Sequence, residues 1–289
     1  MNIQALINIL PFLGISLGFI WVLNKILNAR HDLFNAAEEI AKGNSAIASR
    51  RGGAQLALSI MILGVYLSPG AHNLLDDVIS TVIFNIVCLC FVLFSLFITD
   101  KIVLPGVCNN EEVRDGNRAV GNVEFSTLVM TGLIGFASIF GEQKDFLGQT
   151  GMVGDILSSV FYFVVSQVIV VLFIFLIEMI RKGLVEKIKG GNEAASIYLG
   201  GKLISYGLIV CGIMRGDAGD ISIYQQIANF SILSIISFAI LFVVEFIVDK
   251  IILTETTIQE VFDENNIAAS KQLACVKIGV ALVIGIGLI

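Results

Sequence analysis

The stretch FITDKIVLP, from Phe97 to Pro105, decides the fold, because FIVDKIILT follows 149 residues later, from Phe246 to Thr254. Each stretch places an Asp-Lys pair directly after a long apolar run. An apolar run that ends in charge is typical of a helix leaving a lipid bilayer. Two nearly identical helix ends therefore predict an internal duplication.

The composition indicates a membrane protein. Of the 289 residues, 56% are hydrophobic and 15% are charged, whereas soluble domains carry about 25% charged residues. The chain has 20 Phe and 3 Pro, and it lacks the alternating segments of about ten residues that mark β-barrel strands. We therefore predict an all-α integral membrane protein.

Eight apolar runs are long enough to cross a bilayer, which takes about 20 helical residues. The predicted spans lie near Ile3–Leu27, Ala46–Leu67, Val78–Leu104, Ala119–Phe140, Ile156–Ile180, Ala194–Met214, Ile223–Leu253 and Ala268–Ile289. Of the 18 Lys and Arg residues, all but Lys144 and Arg215 lie in or beside the loops that follow odd-numbered spans. The positive-inside rule then places those loops in the cytoplasm and both termini outside.

An asparagine precedes each even-numbered span at intervals of 73, 75 and 74 residues. The four are Asn44, Asn117, Asn192 and Asn266, in the contexts NSAIA, NRAVG, NEAAS and NIAAS. Asn is a favoured helix N-cap, and small residues one turn apart let helices pack closely in lipid. The pattern predicts four two-helix units nested in two four-helix repeats, near residues 1–148 and 149–289. Successive units would enter the membrane in the same orientation, because each contains an even number of spans.

These helix starts resemble those of the bacterial domain-of-unknown-function family 350 (DUF350), also catalogued as uncharacterised protein family 0719. Asn192 and Asn266, each followed by a residue and then by two alanines, match best, whereas Ile47 and Val120 replace the second alanine of the other two starts. Two tandem copies would cover nearly the whole chain. The resemblance implies a multi-pass protein of the bacterial cytoplasmic (inner) membrane, with an association with envelope stress. It carries over no catalytic residue.

Polar and ionisable residues within the even spans are candidates for an intrabundle polar pathway or ion pair. Arg51 and Glu124 stand seven residues after their capping Asn, and Gln55 and Lys277 stand eleven after theirs, so all four share the face of the cap. Arg50 is predicted to point elsewhere and to reach the membrane interface. Lys277 would lie roughly 16 Å along its helix, near mid-membrane.

We predict that Arg51 pairs with Glu124 across the bundle and that Glu245 or Glu178 is the partner of Lys277. A buried ion pair can line a pathway or can simply fix helix register. The structural interpretation is favoured for Arg51 and Glu124. Both interpretations stay open for Lys277.

Two functions from different classes follow from these features. The first is permeation or transport of a small ion or solute through a polar pathway. The alternative is a non-catalytic membrane scaffold, or an envelope-stress accessory protein, that binds a cytoplasmic protein through its loops. No nucleophile–base set is present in the sequence pattern, so an enzyme is the least favoured class. Besides lipid, Gly14 and Gly18 form a GxxxG motif that indicates a close helix contact or a homo-oligomer; no cofactor, metal or nucleic acid is predicted.

Overall fold

The structure, a computed structural model, describes residues 3–29, 35–68, 74–140, 146, 148–180, 183–215, 222–251, 253 and 256–288. Within these ranges, the side chains at 3–9, 74, 177–180 and 249 are not described. The helices are α1 (Ile3–Ala29), α2 (Ala36–Ala41), α3 (Ser45–Leu67), α4 (Leu74–Ile98), α5 (Asn109–Arg114), α6 (Arg118–Ile139), α7 (Gly151–Ile180), α8 (Leu184–Lys189), α9 (Glu193–Arg215), α10 (Ile223–Ile251), α11 (Ile258–Asp263) and α12 (Ile267–Gly287). A π-helical turn at Thr99–Val103 extends α4.

The long helices make this a multi-span helical membrane protein. Within the described ranges, seven of them have the length and composition to cross a bilayer: α1, α4, α6, α7, α9, α10 and α12. The eighth long helix, α3, is not among the seven. Its first half carries Arg50, Arg51 and Gln55, which lower its apolar character. The predicted all-α membrane class is confirmed, and the predicted spans are supported for seven helices.

The helices α3, α6, α9 and α12 lie side by side in that order and form the core of the bundle. We call this arrangement the even-helix row. Neighbouring helices within the row run parallel, because the start of one helix packs on the start of the next and the end of one packs on the end of the next. Gly121 near the start of α6 packs on Ala46 near the start of α3, and Gly64 near the end of α3 packs on Phe136 near the end of α6. Glycine permits this close approach, since a Cβ on Gly64 would stand 2.9 Å from the Phe136 carbonyl oxygen.

The longer helices between them pack on the row and present apolar side chains outward. α4 contacts both α3 and α6, and α10 contacts both α9 and α12. α7 packs on α6 and also reaches α9, where the Ser166 hydroxyl lies 3.3 Å from the Met214 sulfur. Their inward faces combine apolar side chains, such as Phe91, Phe163 and Phe238, with polar ones. The buried residues there include Thr81, Asn85, Ser95, Ser158, Ser166, Gln167, Ser234 and Ser237.

Four six-residue helices, α2, α5, α8 and α11, precede the members of the row, and we call them the capping layer. After each, one residue adopts positive φ before the chain enters the long helix: Gly43, Gly116, Gly191 and Asn265. Glycine, and less often Asn, is tolerated in this conformation. The turn places an asparagine at the start of each member of the even-helix row.

Candidate functional site

The predicted N-cap asparagines are present at the four starts of the even-helix row. The side-chain oxygens of Asn44 and Asn117 each accept two backbone N–H groups of the following turn. Those of Asn192 and Asn266 each accept the N–H three residues on. These contacts satisfy donors that a helix start leaves without an intrahelical partner.

The amide groups of the same asparagines also join neighbouring units, a role that the sequence did not reveal. Asn44 Nδ2 donates to the Val113 carbonyl at 2.9 Å. Asn117 Nδ2 donates to the Lys189 carbonyl at 3.0 Å, and Asn192 Nδ2 donates to the Phe262 carbonyl at 2.6 Å. Each of these three caps therefore binds the end of the short helix that belongs to the next unit, and it fixes the two units at one level.

Charged contacts strengthen the capping layer. Lys187 of α8 forms an ion pair with Asp263 of α11, and the hydrogen bond from the Lys187 ammonium lowers the pKa of that carboxyl group. Glu260 accepts the backbone N–H of Thr257 at 2.7 Å in a capping box, which lowers the pKa of Glu260.

A buried ion pair joins α3 to α6 beneath the capping layer. Arg50 is 5% exposed and Glu124 is fully buried. Arg50 Nε donates to Glu124 Oε2 at 2.6 Å, and Arg50 Nη2 donates to Glu124 Oε1. Arg50 Nη1 donates to Asn110 Oδ1 at 2.7 Å. This two-point geometry is the strong form of an arginine–carboxylate contact.

The predicted partner of Glu124 is wrong: Arg50, not Arg51, makes this pair. The sequence interpretation took the face of the capping Asn as the interior and compared equivalent positions. In a parallel row, each helix uses one face for the preceding neighbour and another face for the following one. Equivalent positions therefore do not meet, and residue six after Asn44 meets residue seven after Asn117. Arg51 is half-buried, and its Nη2 has no hydrogen-bond partner among the described residues.

A second buried cluster, the Glu245 cluster, joins α9, α10 and α12. Lys202 Nζ lies 2.6 Å from Glu245 Oε2, and Lys277 Nζ lies 3.7 Å from the same oxygen. The Tyr198 hydroxyl donates to Glu245 Oε1. The Tyr198 ring also faces both ammonium groups, with its centroid 3.5 Å from Lys277 Nζ and 4.8 Å from Lys202 Nζ.

The Glu245 cluster is unusual because its ionisable side chains are almost completely buried. Lys277 and Tyr198 are fully buried, and Lys202 and Glu245 are each 3% exposed. Lys202 and Lys277 stand ten and eleven residues after their capping Asn, which is roughly 15 Å along the helix. Charged groups at this depth are costly and pair with one another or line an ion path.

The remaining predicted site residues lie apart from these two clusters. Gln55 is half-buried, and its Nε2 donates to Asn24 Oδ1 at 3.0 Å, which links α3 to α1. Glu178 lies on α7, but its side chain is outside the described residues. Arg50, Lys202 and Tyr198 were not predicted as site residues. The position of Lys202, one residue before that of Lys277, is the sequence signal that could have found it.

The side chains of the bundle interior determine which ions it can bind. In the part of the chain that the structure describes, no three His, Cys, Asp or Glu side chains come together as a metal site. The interior offers ammonium, carboxylate and phenol groups. Groups of these kinds are chemically able to exchange protons or bind small ions.

The sequence comparison identifies the family. The model of the family described as Domain of Unknown Function (DUF350) matches residues 1–139 and again residues 151–288. The chain belongs to the DUF350 family. Among the described residues, each DUF350 segment encloses one cluster of buried charged side chains, with Arg50 and Glu124 in the first and the Glu245 cluster in the second.

A curated relative agrees with the membrane assignment of this DUF350 protein. This chain is similar to a UPF0719 transmembrane protein of Aquifex aeolicus (strain VF5), with 28% identity over 182 residues. The match covers 61% of this chain and 64% of the relative, so this chain spans less than two thirds of that protein's length. No solved structure matches this chain.

Proposed function

We propose that this DUF350 protein lets a small ion or solute cross the membrane through the interior of its second four-helix segment. The observation that carries the proposal is the Glu245 cluster. One carboxylate and two ammonium groups from three helices meet there, at a depth where bilayer hydrocarbon surrounds the bundle. Ionisable groups in such places commonly mark ion paths or proton relays in membrane proteins.

The geometry of the Glu245 cluster also suits an ion path better than a purely structural ion pair. Glu245 accepts from Tyr198 and contacts both lysines, so a proton or ion that reaches one of these groups has others within reach. By contrast, Arg50 and Glu124 form a single two-point pair with matched charges. We assign that pair the structural role of fixing α3 against α6, and we assign neither cluster an enzymatic role.

We propose that α3 is an eighth span, which completes two parallel four-helix repeats near residues 1–148 and 149–289. The close contacts of α3 with α6 begin at Ala46 and continue to Gly64, and α6 itself has the composition of a span. The double family match and the four capping asparagines support four nested two-helix units. Eight spans, with Lys and Arg concentrated beside the capping layer, favour a bacterial inner-membrane protein with both termini outside.

Flux measurements test the proposed path. The purified protein would be reconstituted in liposomes, and dyes would follow protons, Na⁺, K⁺ and Cl⁻ driven by imposed gradients. We expect flux of at least one ion for the wild type, and its loss in Glu245→Gln and Lys277→Gln. Lys42→Gln, directly after α2 of the capping layer, is the control and should retain the flux. Absence of flux in the wild type, or retention in both cluster variants, would contradict the proposal.

A scaffold is the second candidate, and the capping layer is the observation that favours it. Its four short helices form a connected, charged surface at one end of the bundle, suited to a protein partner of the cytoplasm. A scaffold predicts no flux in any variant. It also predicts that a physiological defect follows substitution of exposed residues in or directly beside the capping layer, such as Glu111 and Glu264, while Glu245→Gln has little effect.

A further inference from the structure

The even-helix row is open at both ends, and the two open faces match the surfaces that pack inside it. We propose that a second copy of this chain docks its α3 against α12 of the first. The row would then continue from one copy into the next. The interaction goes beyond the proposed ion path and does not depend on it.

The first open face lies on α12, at the positions that α6 and α9 use to contact the following helix. Asn122 and Ser126 of α6, which are five and nine residues after their cap, contact α9. Gly201 and Leu208 of α9, which are nine and sixteen residues after theirs, contact α12. The corresponding residues of α12 are Lys271, Cys275 and Leu282. All three are exposed, with Leu282 at 43%.

The second open face lies on α3, at the positions that later members of the row use to contact the preceding helix. Phe125 of α6 and Ala274 of α12, each eight residues after its cap, pack against Gly53 and Gly201. The corresponding residue of α3 is Gly52, and a Cβ there would have no atom within 4 Å. Ser59 and Leu63 continue this face, and both are exposed.

The packing of α1 points to the same occupant. Whereas α4, α7 and α10 each contact two consecutive members of the row, α1 packs, among the described residues, mainly on the first member, α3, and on α4. Its outward face is strongly exposed, with Trp21 at 61% and Leu17 at 58%. An α12 from a second copy, placed beside α3, would give α1 the second member of the row that the other helices have.

The capping layer supplies a polar counterpart for this docking. Asn44, Asn117 and Asn192 each donate to a carbonyl at the end of the next unit's short helix. The equivalent acceptor for Asn266 is the end of α2, near Ile40, in a second copy. The face thus continues an established interface in both its apolar and its polar parts.

This docking is heterologous, because it joins two different faces of the same chain. Successive copies in one membrane would share one orientation, since all members of the row are parallel. Such contacts generate a closed ring when the rotation between copies closes, and an open row when it does not. Lipid is the alternative cover for these faces.

Disulfide crosslinking tests the docking. Inside the chain, a Cβ on Gly201 would lie 2.6 Å from the Ala274 Cβ, and the corresponding pair between copies is Cys275 with residue 52. One copy would retain Cys275 and carry alanine in place of its other four cysteines. A second, differently tagged copy would lack all native cysteines and carry Gly52→Cys. After oxidation in native membranes, we expect a disulfide-linked dimer that contains both tags.

The controls distinguish this geometry from other contacts. Each copy expressed alone should give no crosslink, and Phe246→Cys should not replace Gly52→Cys, although Phe246 is 64% exposed. The pair Ser59→Cys and Gly279→Cys provides an independent test, because Gly132 packs on Ala57 at the same positions. Absence of both crosslinks in folded protein would overturn the proposal, as would a crosslink between two Cys275 copies or equal crosslinking by the Phe246 variant.

Discussion

At the scale of single residues, the buried charges hold their positions through partners on other helices. Arg50 and Glu124 satisfy one another across α3 and α6 through two parallel hydrogen bonds. Removing one charge leaves the other buried and uncompensated, which commonly costs about 3–5 kcal/mol, whereas replacing both by apolar groups is often nearly neutral. The two single changes and the double change therefore have different expected effects.

We predict that Glu124→Gln lowers folding stability by about 3–5 kcal/mol, because Arg50 keeps its charge in a buried site. Arg50→Met with Glu124→Met should recover most of that loss. Thermal unfolding of monodisperse protein in detergent measures both. Lys42→Met, at the exposed pair with Glu39, is the control and should leave the midpoint unchanged. A double variant as unstable as the single one would contradict the compensation of charge.

The sequence predicted a part of the buried chemistry. Glu124, Lys277 and Glu245 were recognised because an ionisable group in an apolar run stands out. Arg50 and Lys202 were not, because the interior face was taken from the capping Asn alone. Which face of a helix meets which neighbour depends on the side-by-side order of the row, and periodicity along one helix does not contain that order.

At the scale of the elements, a short helix, a left-handed residue and a capping Asn recur before each member of the even-helix row. The caps could be predicted, because Asn at a helix start has a local cause. The hydrogen bonds that their side-chain amides donate to the next unit could not be predicted, since the accepting carbonyls lie about 70 residues away in the chain. Three of the four asparagines thereby set both the start of a helix and its level against the next unit.

We predict that Asn192→Ala destabilises the start of α9 by about 1–2 kcal/mol, because it removes the cap. Asn192→Asp keeps the accepting oxygen but loses the amide that donates to the Phe262 carbonyl, so its effect should be intermediate. Hydrogen exchange of the first turn of α9 measures this order. Asn35→Ala, which removes a cap from the exposed α2, serves as the control and should leave α9 unaffected. An Asp variant that exchanges like the wild type would show that the bond between units contributes little.

We predict that Gly212→Ala lowers the stability of the bundle by about 1–3 kcal/mol, the usual range for overpacking. A Cβ at Gly212 would overlap the backbone of Gly285, so α9 and α12 would have to separate. Gly18→Ala is the matched control, because a Cβ there would meet open space. Thermal unfolding of the two variants in the same detergent makes the comparison. Equal midpoints would contradict the role of glycine in the row.

At the scale of the whole molecule, the number of spans decides where the termini lie. Eight spans place both termini on one side, whereas seven place them on opposite sides. The polar first half of α3 lowers its apolar character, but its contacts with α6 cover the length of the helix. Composition alone leaves it ambiguous whether α3 spans the membrane, because the charge of Arg50 lowers the apolar character of this helix. In the bundle, Arg50 is covered by protein rather than by lipid.

We predict that tags at the two ends of the chain are both accessible from outside the cell, because α3 completes an even number of spans. Protease or antibody accessibility in intact spheroplasts and in inverted vesicles measures this directly. Cys108, an exposed cysteine in the segment between α4 and α6, provides an internal control. It should react with a membrane-impermeant thiol reagent only from the cytoplasmic side. Termini on opposite sides would contradict the eighth span.

Cysteine accessibility at the Glu245 cluster is the most direct measurement of the proposed ion path. Single cysteines at positions 277 and 202, in a cysteine-free background, would be exposed to small, charged, thiol-specific reagents in intact membranes. Ile134→Cys, at a fully buried apolar position of α6, is the dry control. The ion path predicts rapid labelling at position 277 and no labelling at position 134. Protein that folds and inserts but remains unlabelled at both 277 and 202 would contradict it.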